Sequence, residues 1–164
     1  MSDTPAPVTS TPVKTRHLTT IELDGLRPPY DLGETPYGRR RIVAIVGGKF
    51  EGERLRGKVL PVGADWALIR RDGVFNIDVR AVLETHDGVH ISFSYQGRWH
   101  APPAEMARLL KREGDLTKGD FYYTVACGFE CASDCKYNWL NNIVTVGKGH
   151  PKIFGSIYEV HEVL

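Results

Sequence analysis

The chain has 164 residues, 41% of them hydrophobic and 25% charged, enough to bury one core without disulfide or metal staples. Its 21 Lys and Arg against 20 Asp and Glu leave a formal charge of +1, which provides no electrostatic pull towards nucleic acid or an anionic membrane surface. No apolar run reaches the ~20 residues of a membrane helix, and the opening Met1-Ser2-Asp3-Thr4-Pro5-Ala6-Pro7 lacks the charged-then-apolar order of a signal peptide, so a cytoplasmic protein with no nucleic-acid or membrane partner is expected.

Residues 1–13 are rich in Pro, Ser and Thr without apolar periodicity and read as a disordered tail; one domain is expected over residues 14–164. A first strand is predicted at 16–23. Residues 24–38, dense in Pro and Gly, read as a long loop, either covering one end of a pocket or making a surface excursion. Arg39-Arg40-Arg41 is a strand entry with solvated charges, leading into an almost wholly apolar strand over 41–50, expected to be buried on both faces. A third strand is predicted at 53–60, a turn at Pro61-Val62-Gly63 and a further strand at 65–70. The Arg71-Asp72-Gly73 turn then opens a hairpin.

From Val74 the chain alternates, with Phe75, Ile77, Val79, Ala81 and Leu83 on one side and Asn76, Asp78, Arg80 and Glu84 on the other. This is the two-residue period of a strand with one apolar and one polar face. The polar face either meets water or lines a polar cavity inside a closed sheet. His86-Asp87-Gly88 is a second hairpin turn, followed by an alternating strand at 89–97. A short helix begins at Ala101-Pro102-Pro103 and stops at Gly114. Strands resume at 121–129, 142–147 and 156–163, with a turn or short helix at 137–140. The fold class is therefore all-β: a single antiparallel barrel of about 8–10 strands with one short helix.

The motifs Pro36-Tyr37-Gly38-Arg39-Arg40-Arg41-Ile42-Val43, Gly47-Gly48-Lys49-Phe50-Glu51-Gly52, Leu60-Pro61-Val62-Gly63-Ala64-Asp65-Trp66, Asp78-Val79-Arg80, Phe121-Tyr122-Tyr123, Tyr137-Asn138-Trp139-Leu140-Asn141 and Tyr158-Glu159-Val160 occur in an order that resembles the bacterial and fungal β-barrel family called domain of unknown function 3237. The likeness runs over about residues 16–163. It implies a single lipocalin-like barrel and no particular reaction. The chain departs from that pattern at 125–135, where Cys127, Cys131 and Cys135 stand.

An eight-to-ten-strand barrel holds one small ligand, and Asp65, Asp78 and Arg80 are the candidate catalytic set. A desolvated Asp becomes a better base, and an Arg holds a carboxylate or an enolate oxygen. The competing reading is a structural Asp-Arg pair on a solvated face. Tyr95, Tyr122, Tyr123, Trp139 and Asn141 are candidates for orienting a substrate, one or two of them in contact with it. Cys127, Cys131 and Cys135, spaced by four, match no standard zinc pattern, and their odd number argues against a disulfide framework; no metal is expected. His17, His86, His90 and His100 read as surface or satisfied residues. There is no phosphate-binding glycine loop, nucleophile elbow or His-Glu zinc motif, and no cofactor is implied. Two functions follow. The first is a cofactor-independent lyase, isomerase or cyclase acting by proton transfer on a small oxygenated molecule. The alternative is a non-catalytic carrier or sensor. Either is compatible with a homo-oligomer, and a small molecule is the expected partner.

Overall fold

A computed structural model of the chain describes residues 10–164. In order these form β1 (Thr15–Gly25), β2 (Tyr30–Thr35), β3 (Gly38–Glu51), β4 (Gly57–Asp65), β5 (Leu68–Ile69), β6 (Phe75–Thr85), β7 (His90–His100), α1 (Pro103–Lys111), β8 (Tyr122–Glu130), a 3₁₀ turn (Asn138–Asn142), β9 (Thr145–Lys152) and β10 (Gly155–Val163). The tail expected over residues 1–13 falls, for 1–9, outside the described residues; residues 10–13 belong to no strand or helix. No helix among the described residues is long and apolar enough to cross a membrane.

Eight strands close on themselves. Antiparallel pairing runs β1-β10-β9-β8-β7-β6-β4-β3, and β3 returns to β1 through pairs such as Thr20 with Glu51 and Leu23 with Gly48. Closure leaves no free edge in the barrel itself. β2 and β5 are the two extras, β2 extending β3 and β5 pairing both β3 and β6. The alternation of β6 decides its orientation: Phe75, Ile77, Val79, Ala81 and Leu83 are all buried, and opposite them on β7 stand Trp99, Tyr95, Phe93 and Ile91. Water-excluded apolar area favours this face inward, at about 25 cal/mol per Å² buried.

The structure differs from expectation in four places. The long loop contains β2, which lies against the three arginines of β3, with Glu34 opposite Arg39 and Asp31 opposite Arg41. β3 is not buried on both faces, since Val46 is 50% exposed. The turn expected at Pro61-Val62-Gly63 is a bulge within β4, whose register with β6 shifts between Val59 and Gly63. Proline has no N–H to donate and sits where the ladder is already broken. Gly63 has φ 103°, and a Cβ there would stand 2.0 Å from the Arg80 carbonyl oxygen, so only glycine lets β4 lie this close to β6. The strand expected at 65–70 shrinks to Leu68–Ile69 because Trp66 and Ala67 leave the ladder, although the Trp66 N–H still reaches the Asp78 carbonyl at 2.8 Å.

The barrel is packed at one end and hollow at the other. Leu18, Phe50, Leu55, Leu83, Ile91, Phe93 and Phe129 fill one end, with Phe93 and Phe129 ring centroids 4.9 Å apart. Towards the other end the interior opens into a cavity.

Candidate active site

The cavity has a volume of about 390 Å³ and takes its walls from Phe75, Ile77 and Val79 of β6 and Tyr95 and Trp99 of β7. Its rim is made by residues 26–29 of the β1–β2 loop, by the C-terminal end of α1 and by the start of β10. The apolar walls are interrupted by charged side chains, Asp24, Arg27, Asp31, Arg41, Asp65 and Arg112, and by three phenols.

Asp65 ends β4 directly opposite Val79 of β6 and Val43 of β3, both cavity residues, so the sheet register places its carboxyl in the cavity wall. Its Oδ1 accepts the Asp78 backbone N–H at 3.2 Å. No cation among the described residues pairs with it within 4 Å. Burial is the largest influence on this carboxyl and raises its pKa, opposed by the Asp78 N–H and by Arg40 and reinforced by the Asp78 charge; the result is about 7. A carboxyl poised there changes protonation near neutrality and serves as either acid or base.

Three phenols share the cavity. Tyr123 lies 2.5 Å from Tyr158, hydroxyl to hydroxyl, and 2.9 Å from Ser156 Oγ. Tyr95 packs on Tyr158 with ring centroids 4.7 Å apart. Burial raises all three pKa values, that of Tyr123 to about 12, so the phenols remain protonated donors at neutral pH. Gly149 of β9 makes room for the Tyr123 ring: a Cβ there would come within 2.6 Å of Tyr123 Cγ.

The rim carries charge. Residue 112 caps α1 in the left-handed conformation, φ 61° and ψ 39°, its N–H turned back to the carbonyls of Arg108 and Leu109. A glycine commonly holds that position; here it is Arg112, whose guanidinium carbon lies 6.0 Å from the Trp99 ring centroid. Burial, and secondarily Arg27, lower the Arg112 pKa to about 10. Asp31 pairs with Arg39 at 2.7 Å and Arg41 at 3.2 Å, chiefly through Arg39, which holds its pKa near 2.

Of the residues expected to act, the structure brings Asp65, Tyr95 and Tyr123 together in one cavity. Asp78 and Arg80 do not join them. They occupy the outer face of β6, Arg80 exposed to solvent and Asp78 beside Gln96 Nε2 at 3.4 Å, in a shallow dip with Ser94 and Gly128. Both are removed from the interior by the same alternation that drives Ile77 and Val79 inward. Trp139 and Asn141 belong to the packed end: Arg54 stacks 3.9 Å over the Trp139 ring while bonding Glu162 at 2.8 Å. Asn141 holds the Cys131 backbone by accepting its N–H at 2.9 Å and donating to its carbonyl at 3.1 Å. Tyr122 is 47% exposed and stacks on His100 outside the barrel. Cys127 faces the interior, where burial pushes its thiol up to about 12, and Cys131 donates to the Tyr137 carbonyl at 3.3 Å. No cluster of His, Cys, Asp or Glu among the described residues is placed to hold a metal ion. The sequence reading missed Arg112, Trp99 and Tyr158 as cavity residues. Inward alternation on β7 and β10 was a usable signal for the two aromatics; nothing local marked Arg112.

A family model described as protein of unknown function (DUF3237) matches residues 13–163. The chain belongs to this family. A relative from Rhodopseudomonas palustris, a UPF0311 protein, is 33% identical over 132 residues, which are 80% of this chain and 85% of the relative. The crystal structure of a β-barrel-like protein from Acinetobacter baumannii matches with a TM-score of 0.81 and 32% identity, over 96% of this chain and all of that one. A protein from Penicillium herquei described as an enzyme has the same fold at a TM-score of 0.70 and 20% identity, over 97% of this chain and all of that one.

Proposed function

We propose that the barrel is a cofactor-independent lyase, isomerase or cyclase that moves a proton on a small oxygenated molecule held in the cavity. The observation carrying this reading is the Asp65 carboxyl, set in the cavity wall with a single backbone N–H on it and a pKa near 7. The ionised carboxylate takes a proton from a C–H or O–H of the substrate and becomes a carboxylic acid, while the electron pair left behind is delocalised onto a substrate oxygen. That oxygen lies against the phenols. With Tyr158 and Ser156 donating to the Tyr123 oxygen, the Tyr123 proton is directed to the developing oxyanion. Asp65 then returns its proton to another atom, or to a leaving group, and the carboxylate is restored. The balance needs no oxidant or reductant, which is why no cofactor is invoked. The Penicillium herquei protein, described as an enzyme, supports only the point that such a barrel accommodates one.

The test is a panel of enolisable ketones, phenols and unsaturated esters followed by NMR in deuterated water. Hydrogen exchange or conversion of a bound compound is expected, with a rate inflection near pH 7. The Asp65→Asn variant should slow it by about 10²–10⁴-fold, whereas Arg80→Gln on the outer face should leave it within about twofold of the parent. Compounds that bind without exchange or conversion at any pH would replace this reading with the carrier or sensor.

A further inference from the structure

We propose that the ligand of this cavity is a carboxylate with an apolar body, its anionic end seated between Arg112 and Arg27 at the rim and its body directed towards Asp65. This rests on the cavity being the ligand site, but not on catalysis.

The argument is an imbalance between donors and acceptors. Arg112 Nε and Nη1 are buried with no hydrogen-bond acceptor among the described residues, and so is Trp99 Nε1 beneath the guanidinium. Arg27 lines the same cavity and likewise meets no acceptor or counter-ion among them. The rim acids are already engaged: Asp24 with Lys152 at 2.6 Å, and Asp31 with Arg39 and Arg41. Two guanidiniums and an indole N–H are therefore left without partners. The carbonyl end of α1 tolerates a cation, and the Trp99 face attracts one, yet neither supplies an acceptor to Nε, Nη1 or the indole. Leaving buried polar donors unpaired is costly. A planar guanidinium fork matches a carboxylate edge to edge, and Arg112 and Arg27 both line the cavity. Beyond it lie Phe75, Ile77 and Val79, which suit an apolar body.

The test compares isosteric acids and amides, 2-naphthoate with 2-naphthamide and octanoate with octanamide, by Trp fluorescence and NMR titration. In the parent protein at least one acid is expected to bind about tenfold or more tightly than its amide, as a charge-assisted pair would give. Arg112→Gln should abolish that preference without weakening the amide, and Arg27→Gln should reduce it. Asp65→Asn should retain it, so a failure of the catalytic reading does not touch this result. The proposal is overturned if no acid of either pair outbinds its amide, or if the preference persists in both Arg112→Gln and Arg27→Gln.

Discussion

The same eight strands build both ends of the barrel, and the two ends differ in what their inward positions carry. On β6, Ala81 and Leu83 belong to the packed end while Phe75, Ile77 and Val79 face the cavity; on β7 the division falls between Phe93 and Tyr95. The packed end interlocks large apolar side chains, and the polar groups around it are paired: Thr19 Oγ1 donates to the Leu55 carbonyl at 3.0 Å, and Tyr137 donates to Asp87 at 2.8 Å. At the hollow end Tyr123, Tyr158 and Ser156 bond one another, but Asp65, Trp99 Nε1 and Arg112 are left partly or wholly without partners. An eight-stranded barrel is just wide enough to be filled or to hold one small molecule. This chain does each at a different end. Stability resides in the first, and the second retains unmet hydrogen bonds and a displaced pKa for a ligand to use.

That contrast is open to attack by substitution. For any compound the protein converts, Asp65→Asn should lower turnover by about 10²–10⁴-fold with little loss of binding, and steady-state kinetics would show it. Phe93→Ala at the packed end should cost about 3–5 kcal/mol in denaturant unfolding, through lost transfer energy plus a cavity. Phe75→Ala, beside space that already exists, should cost clearly less; equal costs would mean that the two ends are packed alike.

Asp65 also gives the hollow end a pH signature. Its pKa is raised in the folded protein, so between about pH 4 and pH 7 the native state binds more protons than the unfolded chain, and stability falls as pH rises through that window. Asp65→Asn has no proton to lose and keeps the hydrogen-bond acceptor for the Asp78 N–H. It should match the parent near pH 4 and exceed it above pH 7, by up to about 3–4 kcal/mol. Unfolding midpoints across pH would measure the divergence. Removing one hydroxyl from the phenol network, Tyr158→Phe, should cost about 1 kcal/mol. Arg80→Gln on the outer face should change stability by no more than about 0.5 kcal/mol.

Strand periodicity made most of the barrel legible in advance, since a strand with one wet face must alternate, and β6 and β7 do so along most of their length. The same alternation left the polar face of β6 open between water and lumen, and the structure puts it on the outside. If the apolar face of β6 is the inner one, then Asp78 and Arg80 on the opposite face are outside, and no closed sheet reverses that. Which polar groups enter this lumen is decided by the register between strands, which the period of one strand does not give. Asp65 enters opposite Val79 of β6 and Val43 of β3, Ser156 opposite Leu23 of β1, and Arg112 from a left-handed helix cap. That pairing is set in three dimensions, as when Gly63 lets β4 approach the Arg80 carbonyl. Period counting therefore found the β6 wall and Tyr95, but not Trp99, Tyr158 or the cation at the rim.

The account turns on the protonation of one carboxyl in the cavity wall. A pH titration of ¹³C-labelled aspartate side chains by NMR, with Asp65→Asn to assign the resonance, reads it directly. The structure predicts that Asp65 titrates near pH 7, far from the ordinary carboxylate range of about 4. A midpoint near 4 would contradict it, placing a fully ionised, ordinary carboxylate in the wall and leaving the cavity without its acid–base group.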